Sequence, residues 1–206
     1  MPCCRIAVPS LRIGVLAVQG GFEAHLGMLR GLGGEVRKVR VPEDLVGLDG
    51  LVIPGGESTT ISKGIASAGL AEPILALHEA GGTVFGTCAG MILCDDAHLG
   101  LIDATAERNA FGRQLQSFEV DLEVAGIGDE PLRAIFIRAP SIARLGEGVE
   151  ELATYDGRPV AIREGRVLAC AFHPELTEDS RMHALFMAMT TAAVSAERAS
   201  EISSDH

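Results

Sequence analysis

Thr83-Val84-Phe85-Gly86-Thr87-Cys88-Ala89-Gly90 is the stretch of this 206-residue chain that decides its fold. A β-rich run ends there in G-x-C-x-G, a small-residue turn that can hold a nucleophile on a sharp bend between a strand and a helix. The glycines on either side of Cys88 permit strained backbone angles and leave room for a substrate carbonyl. A helix that begins at Ala89 points its unpaired N–H groups at the sulfur and favours the reactive thiolate. The stretch therefore predicts a cysteine nucleophile at a strand-to-helix junction.

His173-Pro174-Glu175 supplies a candidate base and a candidate orienting group, 85 residues after Cys88. If this segment is an extended strand, residues i and i+2 face the same way, so His173 and Glu175 project together. Cys88, His173 and Glu175 then provide the nucleophile, base and orienter of covalent catalysis. Taken alone, a cysteine in an apolar run is usually a buried hydrophobe, and His-Pro-Glu is usually a polar turn. Because the two fragments occur together, with flanking glycines and at a strand end, we favour the catalytic interpretation.

The periodicity of the chain indicates an α/β fold. In the first half, strands are predicted at 13–18, 35–41, 50–53 and 83–86, and helices at 22–32, 58–68 and 73–79. This alternation predicts a parallel sheet, with Gly55-Gly56 and Cys88 at its carboxyl strand ends. Later strands are predicted at 118–124, 134–137, 160–163 and 167–172, with a hairpin turn at Glu164-Gly165 and a last helix at 181–193. We predict one domain at 11–193, between a loose N-terminal extension at 1–10 and a frayed C-terminal tail at 194–206.

Composition and charge exclude several classes of function. The formal net charge is −11 with no cluster of Lys and Arg, which argues against a nucleic-acid partner. No run of about 18 apolar residues is present, so neither a membrane span nor a membrane partner is expected. The five cysteines lack metal-type spacing, and a disulfide scaffold is not expected in a large aliphatic domain. We therefore expect no metal ion, no cofactor and a reducing, cytoplasmic location.

Pro54-Gly55-Gly56-Glu57-Ser58 follows the third predicted strand, so its backbone N–H groups can face Cys88. Two such donors stabilise the negative oxygen of a tetrahedral intermediate, and loss of one costs about 3–4 kcal/mol. A phosphate cradle is an alternative, but the G-x-x-x-x-G-K pattern is absent. A plain turn is the other alternative. We predict an oxyanion hole formed by Gly55, Gly56 and Ala89.

Two arginines are flanked by apolar or turn residues, Arg108 after Glu107 and Arg138 after Ile137. An amino-acid substrate needs a partner for its carboxylate, and the guanidinium group offers a two-pronged one. Taken singly, each is more often a surface arginine or an ion-pair partner. Four histidines have no neighbouring carboxylate pattern and are interpreted as surface or core residues, namely His25, His78, His98 and His183.

Together these motifs resemble the glutaminase subunit of pyridoxal 5′-phosphate synthases. The likeness runs from Leu11 to about Ala193 and rests on GVLAVQG (14–20), PGGEST (54–59), GTCAG (86–90), ERNAFGRQ (107–114), SFE (117–119), FIRAP (136–140) and FHPELTED (172–179). GTCAG and HPE alone indicate only a class I glutamine amidotransferase. ERNAFGRQ, together with FIRAP and Gln19-Gly20, makes the match more specific.

The resemblance implies a flavodoxin-like three-layer α/β sandwich, with a mostly parallel sheet and helices on both faces. It implies hydrolysis of L-glutamine to glutamate and ammonia, and transfer of ammonia to a synthase partner that builds pyridoxal 5′-phosphate from a pentose phosphate and a triose phosphate. It assigns the catalytic triad to Cys88, His173 and Glu175. It places the partner interface at Gln19 and Gly20, and it assigns glutamine binding to Gly56, Glu57, Ser58, Arg108, Ile137 and Arg138.

The chain departs from the resembled family after Leu93, where only Cys94-Asp95-Asp96-Ala97 precede His98. A longer helix and loop are expected there, so the helix behind Cys88 must be short or rebuilt. Two alternatives stay open. One is another hydrolase with the same cysteine elbow, such as a γ-glutamyl peptidase or a stand-alone amidotransferase. The other is a non-catalytic binding subunit, if the short helix has disabled the site.

Overall fold

The computed structural model describes residues 10–108 and 117–204 of the chain. Most of the predicted extension at 1–10 and residues 109–114 of the ERNAFGRQ segment lie outside the described residues. The strands are β1 (Arg12–Leu16), β2 (Glu35–Val39), β3 (Gly50–Ile53), β4 (Thr83–Thr87), β5 (Ala104–Glu107), β6 (Ser117–Leu122), β7 (Leu132–Ile137), β8 (Ser141–Leu145), β9 (Glu150–Tyr155), β10 (Arg158–Glu164) and β11 (Val167–Cys170). The α-helices are α1 (Phe22–Gly31), α2 (Ser58–Ser67), α3 (Ala71–Glu79), α4 (Ala89–Cys94) and α5 (Arg181–Ser204).

A seven-stranded sheet in the order β2-β1-β3-β4-β11-β10-β9 forms the centre of the protein. The first five strands of that order are parallel, and β10 and β9 extend the sheet as antiparallel strands. β3, β4 and β11 are buried along their whole length, as expected for parallel strands covered on both faces. The parallel strands follow the 2-1-3-4-5 order of flavodoxin-like folds, which confirms the predicted fold class. Two small antiparallel sheets pair β5 with β8 and β6 with β7.

Alternation along β4 explains how helices cover both faces of the sheet. The Phe85 side chain packs against Phe186 of α5, with ring centroids 5.7 Å apart. Gly86, the next residue, faces the opposite side, where a Cβ atom would lie 2.9 Å from the Sγ atom of Cys94 in α4. Successive strand residues point to opposite faces, so α4 and α5 lie on opposite sides of the sheet. The predicted three layers are therefore present.

The last helix is longer than predicted. α5 continues from Arg181 to Ser204, whereas the periodicity of the sequence predicts a helix that ends at Ala193 and a frayed tail from 194 onward. No glycine or proline interrupts residues 194–204, and this stretch contains Ala, Glu and Arg, which favour helix. The Ser195 hydroxyl donates to the Thr191 carbonyl oxygen at 2.8 Å within this extension. The predicted end of the last helix at Ala193 is therefore wrong, and the helix continues to Ser204.

Candidate active site

Cys88 lies at a strained turn between β4 and α4. Its φ of 49° and ψ of −107° are in a region that residues other than glycine rarely adopt. The turn is possible because Gly90 has no side chain, since a Cβ atom there would lie 1.9 Å from the Ile53 carbonyl oxygen. The Cys88 N–H donates to the Cys170 carbonyl oxygen at 2.8 Å, which ties the turn to β11. The predicted strand–turn–helix geometry is thus present around the thiol.

The helix behind Cys88 is short, with only the six residues of α4. Asp95, which is buried, closes it with its carboxylate. The Asp95 oxygens accept the backbone N–H groups of Ala97 at 3.0 Å and of Ala106 at 3.1 Å, and Oδ1 lies 2.6 Å from His98 Nδ1. A polar turn therefore replaces further helical turns, and it joins the end of α4 to β5 without disturbing the Cys88 turn.

His173 and Glu175 are in contact, but not for the predicted reason. His173 Nδ1 lies 2.8 Å from Glu175 Oε1. Pro174–Leu176 is a short 3-10 helix and not an extended strand. Proline at its first position favours this turn, because proline has a fixed φ and no N–H to leave unpaired. The His173 N–H donates to the Ile135 carbonyl oxygen of β7 at 2.8 Å, which fixes the start of the turn.

The charges of the three groups support one another. Burial disfavours a charged His173, but its hydrogen bonds to Cys88 and Glu175 outweigh burial and raise the pKa of the imidazole to about 10. Burial also opposes ionisation of Glu175, yet its hydrogen bond from His173 and the nearby His25 hold its pKa below the usual value. This electrostatic arrangement favours an imidazolium at His173 and a carboxylate at Glu175.

The other two described cysteines lie in different surroundings. Burial raises the pKa of the Cys94 thiol to about 12. Burial, followed by the proximity of Glu175, raises the pKa of the Cys170 thiol well above its usual value. Thiolates are the reactive form of cysteine, so these two side chains are inert in the folded protein. Among the described cysteines, Cys88 alone has an imidazole partner.

The predicted oxyanion donors differ in their availability. The Gly55 N–H donates to the Thr87 hydroxyl oxygen at 3.1 Å, so in this structure it is already engaged. Within the described residues, the Gly56 and Ala89 N–H groups make no hydrogen bond. Of the three predicted donors, Gly56 and Ala89 are therefore the two whose N–H groups are unengaged among the described residues. The sequence did not reveal that the Thr87 hydroxyl on β4 faces the Gly55 amide.

Gln19 and Glu57 hold the loop that follows β3. Gln19 is half-buried, and its Oε1 atom accepts the Glu57 N–H at 3.0 Å. The Glu57 carboxylate caps α2 by accepting the N–H groups of Thr59 at 3.1 Å and Thr60 at 2.7 Å. Hydrogen bonds from Thr60 lower the pKa of Glu57 to about 2. Gly20 is exposed, with a φ of 103°, and a Cβ atom there would lie 2.0 Å from the Gly55 carbonyl oxygen.

A cleft of about 370 Å³ opens above Cys88. It brings together every predicted site residue, namely Gln19, Gly20, Gly55, Gly56, Glu57, Ser58, Cys88, Ala89, Arg108, Ile137, Arg138, His173 and Glu175. The Cys88 thiol faces the Ile137 carbonyl oxygen at 3.8 Å. Arg108 contacts Glu57 and Thr59 at 3.5 Å, at the rim of the cleft. Arg138 has a φ of 45° and forms no ion pair with residues 10–108 or 117–204.

A larger groove of about 930 Å³ lies elsewhere, along β6 and β9. None of the predicted site residues lines it. Its walls carry five carboxylates, from Asp121, Glu123, Asp129, Glu151 and Asp156. The smaller cleft holds Cys88, His173 and Glu175 and is therefore the candidate active site.

Two histidines that were interpreted as surface or core residues, His25 and His183, are fully buried and lie behind Glu175. His25 Nε2 lies 3.4 Å from Glu175 Oε2, and both side chains are buried. His183 Nε2 lies 2.9 Å from His25 Nδ1. His25 is on α1 and His183 on α5, and only the fold brings the two rings together behind Glu175. No motif or spacing in the sequence signals these contacts.

Neither a metal site nor a membrane span is found in the part of the chain that the structure describes. Within residues 10–108 and 117–204, no three His, Cys, Asp or Glu side chains form a group that could hold a metal ion. None of the described helices is both long enough and apolar enough to cross a bilayer.

Comparison with known proteins gives consistent matches. The model of the SNO glutamine amidotransferase family matches residues 15–192. The chain is 52% identical over 186 residues to the pyridoxal 5′-phosphate synthase subunit PdxT of Niallia circulans, covering 87% of this chain and 97% of that protein. It is 50% identical to the same subunit of Moorella thermoacetica, covering 87% and 99%.

Solved structures agree with these sequence matches. A crystal structure of a glutamine amidotransferase superimposes with a TM-score of 0.82 at 48% identity, covering 86% of this chain and 98% of that one. A chain in the structure of PurLQS from Thermotoga maritima superimposes with a TM-score of 0.67 at 17% identity, covering 87% and 98%. The second match shows a shared fold only.

Proposed function

The chain belongs to the SNO glutamine amidotransferase family, and from this premise we propose that its cleft hydrolyses L-glutamine to glutamate and ammonia for pyridoxal 5′-phosphate synthesis. The observation that carries the proposal is the arrangement of Cys88, His173 and Glu175 at one end of a single cleft. The Nδ1–Oε1 contact of 2.8 Å orients the imidazole, and its other nitrogen is left for the thiol. The short α4 helix leaves this arrangement intact, so a non-catalytic role is disfavoured.

The reaction follows from the charges of these groups. The Cys88 thiolate attacks the side-chain amide carbon of glutamine, and the negative oxygen that forms is stabilised by the N–H groups of Gly56 and Ala89. The His173 imidazolium gives its proton to the leaving nitrogen, so ammonia departs and a thioester remains. His173, now neutral, accepts a proton from water, and the resulting hydroxide attacks the thioester. Glutamate is released, and the thiolate–imidazolium pair is restored.

Substrate selection rests on the two arginines at the cleft. Arg138 forms no ion pair with the described residues, so its guanidinium is available for the α-carboxylate of glutamine. Arg108 is held against Glu57 at 3.5 Å and adds a second positive charge at the rim. A small amino acid with one free carboxylate suits this pair. Another hydrolase of the same architecture, such as a γ-glutamyl peptidase, would accept an extended substrate at this rim.

The fate of the ammonia suggests a partner. The relatives from Niallia circulans and Moorella thermoacetica are named as subunits of pyridoxal 5′-phosphate synthase, and this chain spans nearly their whole length. Ammonia released into neutral water is protonated and loses its nucleophilicity, which favours direct transfer between two docked sites. We propose that a synthase partner docks at the Gln19–Gly20 turn, which borders the cleft. A reactive thiolate is preserved in a reducing compartment, which favours the cytoplasm.

The assignment is tested by replacing single cysteines and measuring ammonia release from glutamine with the synthase partner present. Cys88→Ala is expected to lower kcat by about 10⁶-fold, the size of loss seen when a covalent nucleophile is removed. Cys94→Ala is the matched control, because Cys94 is a buried thiol with a raised pKa, and it is expected to retain activity. Wild-type activity in Cys88→Ala would contradict the proposal. A strong preference for γ-glutamyl peptides over glutamine would favour the peptidase instead.

A further inference from the structure

A row of buried histidines lies behind the triad. His183 Nε2 is 2.9 Å from His25 Nδ1, and the other nitrogen of His25 is 3.4 Å from Glu175 Oε2. The same His25 Nε2 is 3.2 Å from the Thr87 hydroxyl oxygen. Glu175 Oε1, in turn, accepts a hydrogen bond from His173 Nδ1. His25, His183 and Thr87 have no solvent-exposed surface, so water does not compete for these contacts.

The contacts determine which nitrogen of each ring carries the proton. A carboxylate only accepts hydrogen bonds, so His25 stabilises Glu175 only when its Nε2 carries the hydrogen. Its Nδ1 then accepts, and His183 Nε2 donates to it. The remaining nitrogen, His183 Nδ1, is buried and has no partner within the described residues. In this arrangement it carries no hydrogen, which avoids a buried unpaired donor, the less tolerated of the two defects.

Both rings are uncharged in this position. Burial lowers the pKa of His25 to about 4, against the opposing pull of Glu175. Burial, assisted by the neighbouring His25, lowers the pKa of His183 to about 3. The titratable groups that face His25 are Glu175, His173 and His183, and Thr87 adds a neutral hydroxyl. A charged His25 would repel the His173 imidazolium, whereas a neutral one supplies a hydrogen to Glu175 at no such cost.

We propose that His25 is a positioning residue for the glutaminase reaction, and that His183 fixes its tautomer. Glu175 Oε2 is buried without a hydrogen-bond partner among the described residues, and His25 Nε2, 3.4 Å away, is a donor that can restrain that side of the carboxylate. Through Thr87 Oγ1, which accepts the Gly55 N–H, the same imidazole also contacts the loop that follows β3. His25 thereby links the triad carboxylate to the turn that carries Gly56. The inference rests on the proposed function.

Three variants separate positioning from simple packing. His25→Leu removes the donor, whereas His25→Gln keeps an amide N–H at about the place of Nε2. His183→Leu leaves His25 in place but removes the donor to its Nδ1, so the imidazole is no longer held in the orientation that presents its Nε2–H to Glu175. With the synthase partner, His25→Leu is expected to lower kcat by about 10- to 100-fold with little change in KM, the size typical for loss of an outer partner of a functional histidine. His25→Gln is expected to recover most of that loss.

The second readout uses the isolated protein and needs no turnover. Alkylation of Cys88 by iodoacetamide is followed against pH by mass spectrometry, with Cys94 and Cys170 as internal controls. In the wild-type protein Cys88 is expected to react fastest, because it is the thiol paired with an imidazole. In His25→Leu and in His183→Leu the midpoint of this pH profile is expected to rise by about one unit, since a less restrained Glu175 stabilises the imidazolium less. Histidine ¹⁵N chemical shifts are expected to show His25 as the neutral Nε2–H form in the wild-type protein.

The outcomes are distinguishable. Wild-type kcat and an unchanged alkylation profile in His25→Leu would overturn the inference, as would equal loss in His25→Gln and His25→Leu with an unchanged profile. If His25→Leu does not fold, the decision rests on His183→Leu. An unshifted alkylation profile in His183→Leu would then overturn the inference. An Nδ1–H tautomer of His25 in the wild-type protein would overturn it as well. Slow alkylation of Cys88, equal to that of Cys94 and Cys170, would instead contradict the proposed function and remove the inference with it.

Discussion

Replacement of Glu175 by glutamine tests how the triad carboxylate acts. In the structure Glu175 Oε1 lies 2.8 Å from His173 Nδ1, and Glu175 Oε2 lies 3.4 Å from His25 Nε2. A glutamine side chain has one acceptor oxygen and one NH₂ group. If its oxygen faces His173, its NH₂ opposes the hydrogen of His25. If it turns over, its NH₂ opposes His173 Nδ1, and the imidazole loses the tautomer that serves Cys88.

The expected loss of kcat in Glu175→Gln can be worked out from the pKa of His173. A rise from its ordinary 6.5 to about 10 corresponds to roughly 5 kcal/mol in favour of the imidazolium. The hydrogen bonds to Cys88 and Glu175 raise this pKa. If the two contribute equally, each stabilises the imidazolium by about 2–3 kcal/mol, which corresponds to about 100-fold in rate. A wrong tautomer adds to this, since the corresponding change in a Ser-His-Asp triad costs about 10⁴-fold. Glu175→Gln is therefore expected to lower kcat by about 10²- to 10⁴-fold.

The assay is ammonia release from glutamine in the presence of the synthase partner. Glu178→Gln is the matched control, because it makes the same chemical change at an exposed residue three positions away. The control is expected to keep wild-type kcat and KM. A loss of less than about tenfold in Glu175→Gln would refute the reasoning, because the carboxylate would then hold neither the charge nor the tautomer of His173.

Three further predictions follow from the same contacts. Gly90→Ala places a Cβ atom 1.9 Å from a carbonyl oxygen of β3, and urea unfolding is expected to show a free energy of unfolding lower by more than about 2 kcal/mol. Gly27→Ala is the control, because Gly27 has open space around it, and this variant is expected to lose no stability. Gln19→Ala is expected to weaken activation by the partner while the melting temperature stays within a few degrees, since the side chain is half-buried outside the core; unchanged activation would contradict the docking proposal. The pKa values of His25 and His183 are near 4 and 3 in the folded protein and near 6.5 in the unfolded chain, so protons bind preferentially to the unfolded chain below pH 6.5. Urea unfolding at pH 5 is therefore expected to give a free energy of unfolding lower by roughly 2 kcal/mol per histidine than at pH 7. Equal stability at the two pH values would show that the two rings are not buried in the neutral form.

Most of the central sheet could be predicted because its buried strands are continuous runs of apolar residues. The continuous apolar runs of β3 and β4 and the glycine-containing turns after them predicted parallel strands with reactive groups at their carboxyl ends. The small strands β5, β8 and β9 were not predicted. They are short and alternate weakly or contain charged residues. β5 and β8 also pair with each other across a long stretch of sequence, whereas β9 pairs with β10, the next strand in the chain. Long-range pairing of this kind leaves little trace in local sequence.

The candidate site was predicted where motif and geometry coincide. G-x-C-x-G requires a tight turn, and both the strained φ of Cys88 and the close approach at Gly90 follow from that requirement. The geometry of His173 and Glu175 was predicted for the wrong reason, since proline begins a 3-10 turn there. The occupied Gly55 amide and the contact between His25 and Glu175 depend on side chains brought together only by folding. No local spacing encodes them.

Labelling with the glutamine analogue 6-diazo-5-oxo-norleucine tests the central claim most directly. The reagent requires both recognition as glutamine and attack by a thiolate, so it reads the cleft and the triad together. In the presence of the synthase partner, we expect rapid covalent labelling of Cys88, located by mass spectrometry. Cys94 and Cys170 are expected to stay unlabelled because burial raises their thiol pKa values. Equal and slow labelling of all three cysteines would contradict it.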